Sequence, residues 1–457
     1  MAGIGAIAAG DEIKNSNLKS QISNPQIENL KSTIFMLGPF PNSLILTPVS
    51  RWPTTLPEET IRAVLEQPVA RGELGASNLG QPPEASIIVV AYNNLAFNRL
   101  CLESVLANTA TPPFELIVVD NGSTDGTVEY LRELAAFDSR VKPIFNATNR
   151  GFAPANNQGL AAARCELLVL LNNDTIVPPD WLSDLTEPLA NPAIGLVGPV
   201  TNRAGNEAEI PTRYQTYGEL VEFAGSHRNE HRREHSEVER LILFCAAMRR
   251  DVYEKVGLLD EQFEVGMFED DDFSFRVRQA GYQLLLVEDA FVHHFGQASL
   301  GKLAATGEYG PLFQANRQRW EEKWGRAWEP YPRRENPEYD AAVCRLQQLA
   351  AKFIAPHEIT LIVSRGDDAL VAWPGWRGWH FPRTDSGEYS GFHPADSAAA
   401  IAHLEQLRSQ GARWFVLPAA SAWWWDYYGE FREQLLSRHE LVADEATAGR
   451  IFRLSNE

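Results

Sequence analysis

The chain reads as an α/β protein: a mostly parallel sheet flanked by helices, followed by a smaller C-terminal α/β unit. Three observations predict this. Short β-branched runs alternate with segments of helical period from residue 85 onward, each run ends in polar residues, and a second, shorter alternation begins near residue 357.

The elements follow in order. SIIVVAY precedes a helical pattern over 95–107, ELIVVD precedes one over 124–135, VKPIF precedes one over 153–164, and LLVLL follows. Strands joined through helices imply right-handed crossovers and a parallel sheet covered on both faces. In such sheets ligands bind at the carboxyl ends of the strands. These runs fall in a main domain at 85–300. Residues 1–84 form an N-terminal extension, partly disordered: 11–33 are rich in Asn, Ser, Lys and Gln, and 34–84 carry prolines, a short apolar run at 43–47 and a helical pattern over 58–66. Residues 301–356 read as a charged helical extension or linker containing QANRQRWEEKWGRAW. Residues 357–457 read as the small α/β unit, with ITLIVS, a helix over 397–410, WFVLP and a closing RIFRL.

With 41 Lys+Arg against 60 Asp+Glu the net charge is −19, a field that repels nucleic acid. A phosphate-bearing substrate must therefore meet local counter-charge, from a metal ion or oriented backbone N–H groups. Cys101, Cys165, Cys245 and Cys344 form no CxxC pair and suit reduced thiols. The opening MAGIGAIAAGDE lacks a basic n-region, and no apolar run approaches the ~20 residues of a membrane span. A cytoplasmic location is expected, with at most peripheral contact at the inner face of a membrane.

The strand ends carry the chemistry. The first run ends in Tyr92 and Asn93, and the second in DNGSTDGT, where Asp120 is placed to accept a bond from a base or ribose; a tight turn with a helix cap explains that segment equally well. NRGFAPANNQG offers Asn149, Gly151, Asn156 and Asn157 at a helix start suited to diphosphate oxygens, with a capped polar loop as the plainer reading. LLVLL delivers Asn172, Asn173 and Asp174, a carboxylate at a strand tip as Mn²⁺ or Mg²⁺ needs. In FEDDDFSFRVRQAGY, Glu269 and Asp270 read as chemistry, whereas for Asp271 and Asp272 complementing the helix dipole weighs at least as much. Arg276 is one turn on from Asp272, as a counter-ion would be. Of His293 and His294, one is expected to face the cleft and the other to be structural.

Together these motifs resemble the family-2 glycosyltransferases of the GT-A fold, the rhamnosyltransferase-like branch most of all. The resemblance covers about residues 85–300 and rests on Tyr-Asn after the opening strand, DNGSTDGT, NRGFAxANN, LNNDT, RRDVYEKVGLLDEQF, the ED-x-D element and H-x-x-x-x-S. It implies a metal-dependent, hexosyl-type transferase that inverts configuration as it moves a sugar from a nucleotide-diphosphate donor to an acceptor hydroxyl. A glycan or lipid-linked glycan acceptor and a role in polysaccharide or glycoconjugate assembly come with it. By the same resemblance Asp120 contacts the donor's base within a donor-contacting set of Tyr92, Asn93, Asp120, Asn149, Gly151, Asn156, Asn157 and Asn173. Asp174 is the surviving acid of the family's DXD metal motif, with Asn172 an amide in place of its first acid. His294, five residues before Ser299, is the metal-binding histidine, and Asp270 is the general base with Glu269 as its substitute.

Other features carry less. His227, His231 and His235 recur at helical spacing, for which a solvated helix is the better reading. The C-terminal tryptophans suit sugar stacking or, more simply, a small core, and GFHPADSAAAIAHL with PAASAWWWDYY resembles an accessory module of bacterial polysaccharide-assembly proteins. A nucleotidylyltransferase shares the layout but starts with a Gly-rich basic loop, which AYNNLAFNR lacks. A catalytically silent sugar-nucleotide or glycan-binding module is the alternative outside enzymes.

Overall fold

The computed structural model describes residues 39–46, 56–67, 81–296, 308–332, 334–390, 393–394 and 396–455. Ser299 and the Asn/Ser-rich stretch at 11–33 lie outside the described residues. After a short helix, α1 (Glu58–Glu66), come β1 (Ala85–Ala91), α2 (Leu95–Asn108), β2 (Phe114–Asp120), α3 (Thr127–Phe137), β3 (Val141–Phe145), α4 (Phe152–Ala162) and β4 (Leu167–Asn172). β1 pairs in parallel with both β2 and β4, and β3 continues beyond β2 at the sheet edge. Pro143, which has no N–H to donate, is tolerated there because β3 has a neighbour on one side only. Alternate residues point to opposite faces. Ile88, Ile117, Val119, Leu168 and Leu170 enter one apolar core, while Ile87, Val89, Leu116, Val118, Val169 and Leu171 enter the other.

The second half of this domain contains β5 (Thr175–Ile176), α5 (Trp181–Thr186), β6 (Ile194–Val200), α6 (Tyr217–Glu230), β7 (His235–Val238), β8 (Cys245–Arg249), α7 (Arg250–Val256), α8 (Glu269–Gln279), β9 (Gln283–Phe291) and β10 (His293–His294). The eight-stranded order is β3-β2-β1-β4-β8-β6-β9-β7. β8 runs antiparallel between β4 and β6, and β6 pairs in parallel with β9, so β9 runs in the direction of β1 to β4. The sheet is thus mostly parallel and helix-flanked, a GT-A-like arrangement as expected. Upstream, Leu46 is fully buried and Ile45 forms a bridge with Thr216, which pins residues 39–46 against α6.

Downstream lie α9 (Tyr309–Trp324), α10 (Pro337–Ala350), β11 (Ile359–Ile362), β12 (Arg377–His380), α11 (Ser397–Ser409), β13 (Trp414–Pro418), α12 (Trp424–Tyr427), α13 (Gly429–Arg438), β14 (Glu440–Glu445) and β15 (Gly449–Arg453). α9 ends at Gly325 in the left-handed conformation that glycine favours. A five-stranded sheet, β12-β11-β13-β15-β14, has its own two cores, one holding Leu361, Phe415 and Trp424 and the other Ile362, Trp414 and Trp373. Most of the C-terminal tryptophans pack inside. Trp373, Trp414, Trp423 and Trp424 are all buried, so core packing accounts for them.

The helix expected across His227, His231 and His235 is corrected. α6 stops at Glu230, His231 turns to bond Glu234, and His235 enters β7 opposite Val287. Pairing with β9 overrides the helical spacing: the His227 and His231 rings stay adjacent, with centroids 4.4 Å apart at the end of α6, but His235 leaves them. His227 instead bonds the Glu288 carbonyl from a buried position. Among the described residues no helix is long and apolar enough to cross a membrane.

Candidate active site at the carboxyl edge of the sheet

Because β1, β2, β4 and β9 run the same way, the residues that follow them emerge on one side of the sheet, and α8, which precedes β9, begins on that side. The first two loops are tied together. Asn93, at φ 52°, donates its N–H to Ser123 Oγ at 2.7 Å and accepts the Thr124 N–H through Oδ1 at 2.8 Å. Tyr92 stands at the rim, 39% exposed. Asp120 is 1% exposed, and its Oδ2 accepts the Ser123 N–H at 3.3 Å. Its Oδ1 is buried with no hydrogen-bond partner among the described residues. A carboxylate oxygen in that position is unfavourable until a donor reaches it.

The third loop is built on glycine and asparagine. Asn121 Nδ2 donates to Asn149 Oδ1 at 2.8 Å and to the Gly151 carbonyl at 3.1 Å, and Asn149 Oδ1 also accepts the Gly151 N–H. Gly151 has φ +93°, and a Cβ there would lie 2.3 Å from the Glu264 carbonyl oxygen. Only glycine permits that approach, which brings residues 264–268 against the start of α4. Asn156 and Asn157 turn away from the donor role expected of them. Asn156 Nδ2 bonds the Phe152 carbonyl, and Asn157 Nδ2 bonds the Leu259 carbonyl and Glu261 Oε1. Asn173 likewise points its amide into the protein, at Asn98 Oδ1 2.6 Å away. All three are buried.

Asp174 and His294, 120 residues apart, are brought together by a two-stranded ribbon in which β5 pairs with β10 and His294 lies opposite Thr175. Asp174 Oδ1 is 3.4 Å from His294 Nε2. The imidazole is held on every side: Nδ1 bonds the Arg203 carbonyl at 2.9 Å, the His294 N–H bonds Asn202 Oδ1, and the ring stacks on Phe244 with centroids 4.7 Å apart. A carbonyl oxygen can only accept, so Nδ1 carries the proton, and in the neutral ring Nε2 presents its lone pair to the carboxylate. Two acceptors facing each other suit a shared cation. Cis ligands of an octahedral ion with ~2.1 Å bonds sit about 3 Å apart, close to this separation. Among the described residues no cluster of three or more His, Cys, Asp or Glu side chains forms a metal site. Asn172 ends β4 with its carbonyl accepting the Thr175 hydroxyl. His293 is fully buried, bonded through Nδ1 to Tyr214 Oη at 2.6 Å, and burial pushes its imidazole down to about 3. It is the structural member of the pair.

At the start of α8 the four acids divide into two and two. Asp271 accepts from Arg240, Trp328 Nε1 and Tyr331 Oη, and Asp272 from Arg276, Trp324 Nε1 and Lys323. Glu269 is buried, with Oε2 lacking a hydrogen-bond partner among the described residues, and Asp270 Oδ1 accepts the Asp271 N–H at 2.9 Å. Burial first, and then the charge of Asp271, push the Glu269 carboxyl up to about 7. Burial with the neighbouring Asp271 and Glu269 pushes Asp270 well above the aspartate range.

Residues 86–257 match the family model described as glycosyl transferase family 2. The chain carries a glycosyl transferase family 2 domain. An uncharacterized protein, y4gI, of Sinorhizobium fredii is 31% identical over 233 residues, 48% of this chain and 25% of that protein. Glycosyltransferase AglE of Haloferax volcanii is 27% identical over 217 residues, 46% of this chain and 67% of AglE. The solved structure of mannosyltransferase PcManGT from Pyrobaculum calidifontis, with GDP-Man and Mn²⁺, aligns over 64% of this chain and 86% of that one at 18% identity and TM-score 0.38. The chain thus spans a quarter of the length of the first relative named.

The family 2 match ends before Glu269 and His294, so what completes the site comes from further along the chain. Sequence reasoning also passed over Asn316, Lys323, Trp324, Trp328 and Tyr331, which surround the acids. The only local signal was the aromatic stripe of QANRQRWEEKWGRAW. Asn316 is fully buried, and its Nδ2 bonds the carbonyls of Phe263 at 3.0 Å, Gly266 at 2.9 Å and Met267 at 3.3 Å.

Proposed function

We propose that this chain transfers a glycosyl group from a nucleotide-diphosphate donor to an acceptor hydroxyl with inversion, in polysaccharide or glycoconjugate assembly. The opposition of Asp174 Oδ1 and His294 Nε2, with the histidine tautomer set by the Arg203 carbonyl, carries this reading. Those two side chains would hold Mn²⁺ or Mg²⁺, with phosphate and water oxygens as the remaining ligands. When bound, such an ion supplies positive charge to the departing diphosphate. The net charge of −19 makes such a local source necessary.

The protein's own groups supply the rest. Asp120 Oδ1 accepts a base N–H, which meets its unused lone pair. Asn93 and Asn149 hold the loops around it, and Tyr92 offers a ring at the rim. Asp270, or Glu269 beside it, takes the proton of the acceptor hydroxyl as that oxygen attacks. A carboxyl raised above its ordinary range is a stronger base than an ordinary one once ionised.

The test is donor turnover by the full chain, with UDP-, dTDP- and GDP-sugars screened for thermal stabilisation in Mn²⁺. Metal-dependent release of nucleoside diphosphate, lost in Asp174→Ala and in His294→Ala, is the expected result. Binding without any turnover would instead identify a silent sugar-nucleotide-binding module.

A further inference from the structure

We propose that Asn316 is the positioning residue that sets the Glu269–Asp270 carboxylates at the start of α8, a role that rests on the glycosyl-transfer reading for its consequence. The segment entering α8 is strained. Glu264, Met267 and Phe268 have φ of 54°, 74° and 76°, in the left-handed region that non-glycine residues rarely adopt. Phe268 immediately precedes Glu269, so the backbone that aims the two carboxylates is this one. Such a conformation persists only where its surroundings impose it.

Asn316 imposes it from a different element. Its single Nδ2 donates to the carbonyls of Phe263, Gly266 and Met267, so two hydrogens serve three acceptors, one of them shared. The amide is itself oriented by Arg319, whose Nη1 bonds Asn316 Oδ1 at 2.7 Å and whose Nη2 bonds Glu264 Oε1 at 2.6 Å. Around it Phe263, Phe268 and Trp320 form an apolar cluster, with Met267 packed against it, that keeps water from replacing the amide. The second half of the acid quartet has its own anchors in Arg240, Tyr331, Lys323 and Arg276. Glu269 and Asp270 have none of these, and their placement depends on the segment Asn316 clamps. Loss of the clamp lets the segment relax and water reach the pair, which returns the carboxyls toward their ordinary range and displaces the base.

The experiment uses the full chain as wild type, Asn316→Ala and Arg319→Gln. Carboxyl ¹³C titrations, assigned with Glu269→Gln and Asp270→Asn, are measured beside the kcat and KM of Mn²⁺-dependent donor turnover. In Asn316→Ala the raised carboxyl titration should move down by about one pH unit or more, and kcat should fall about 10- to 100-fold with donor KM within about threefold, as for a base misplaced by an ångström. Arg319→Gln should shift both in the same direction by less. A folded Asn316→Ala protein with unchanged titration and unchanged kcat overturns the proposal. Should Asn316→Ala fail to fold, an Arg319→Gln protein unchanged in both overturns it equally. Absence of donor turnover in the wild type would refute the glycosyl-transfer reading alone, and the titration would still judge Asn316.

Discussion

A carboxyl that is raised in the folded protein binds its proton more tightly there than in the unfolded chain, and this gives Glu269 a signature in stability as well as in rate. Its value near 7, against about 4.3 in an unfolded chain, means that stability falls as pH rises between those two values. Above pH 7 the penalty amounts to roughly 4 kcal/mol for a shift of that size. Glu269→Gln should therefore raise Tm at pH 8 and leave it unchanged at pH 4; an equal Tm at pH 8 would deny the buried, unpartnered state of Oε2. For Asp270→Asn the expectation is a rate loss of about 10²–10⁴, the typical worth of a general base, with donor binding intact in a thermal-shift titration. Wild-type turnover should rise with pH along a limb well above the ordinary aspartate range, since the base acts only when ionised. A limb near pH 4 would count against both acids. The Asp174–His294 pair is tested by binding: either alanine variant should lose the paramagnetic Mn²⁺ signal of the complex at concentrations that saturate the wild type, while the Asn172→Ala variant measures what that amide adds.

At the scale of elements the decisive contacts are backbone approaches between loops. Gly151 lets the NRG turn lie against the Glu264 carbonyl, and Gly122 lies close to the backbone of Thr148, where a Cβ would be 2.9 Å away. Gly151→Ala should lower stability by about 1–3 kcal/mol, read as a fall in Tm, because it combines a strained φ with a clash that only backbone movement relieves. The same variant should weaken donor turnover, as the displaced segment leads to Glu269. An unperturbed Tm would show that the loops have room the structure does not indicate. α9 belongs to the same argument. It lies outside the family match, yet Lys323 pairs with Asp272, Trp324 donates a hydrogen bond to it and Trp320 seals the segment before α8.

Across the whole molecule, two sheets with separate cores predict two cooperative units on unfolding. Trp424 is 1% exposed within the C-terminal core, and Trp424→Ala should cost about 3–5 kcal/mol there. Calorimetry should show the C-terminal transition moved to lower temperature, with the Mn²⁺ affinity of the main domain retained. Loss of Mn²⁺ binding in that variant would show that the two units are energetically one. The ion pair of Arg334 with Glu288 at 2.9 Å, from the connecting segment to β9, is a polar link between them and small beside either core.

Much of this was legible in the order of residues. Continuous apolar runs such as SIIVVA and ELIVVD can satisfy both faces only inside a covered parallel sheet, so the strands, their helices and the polar strand ends followed from period and composition. The pairing of Asp272 with Arg276 was readable as well, because a helix repeats every four residues. Long-range pairing decided the rest. The antiparallel β8 at the centre of the sheet, the β7 strand where helical spacing suggested otherwise, and the inward turn of Asn156, Asn157 and Asn173 depend on partners that no local pattern names. The acid quartet shows why: four adjacent carboxylates are alike in sequence, and they differ in the fold only because Arg240 and Lys323 arrive from distant elements to pair with two of them while Tyr331 and Trp324 donate hydrogen bonds to the same two.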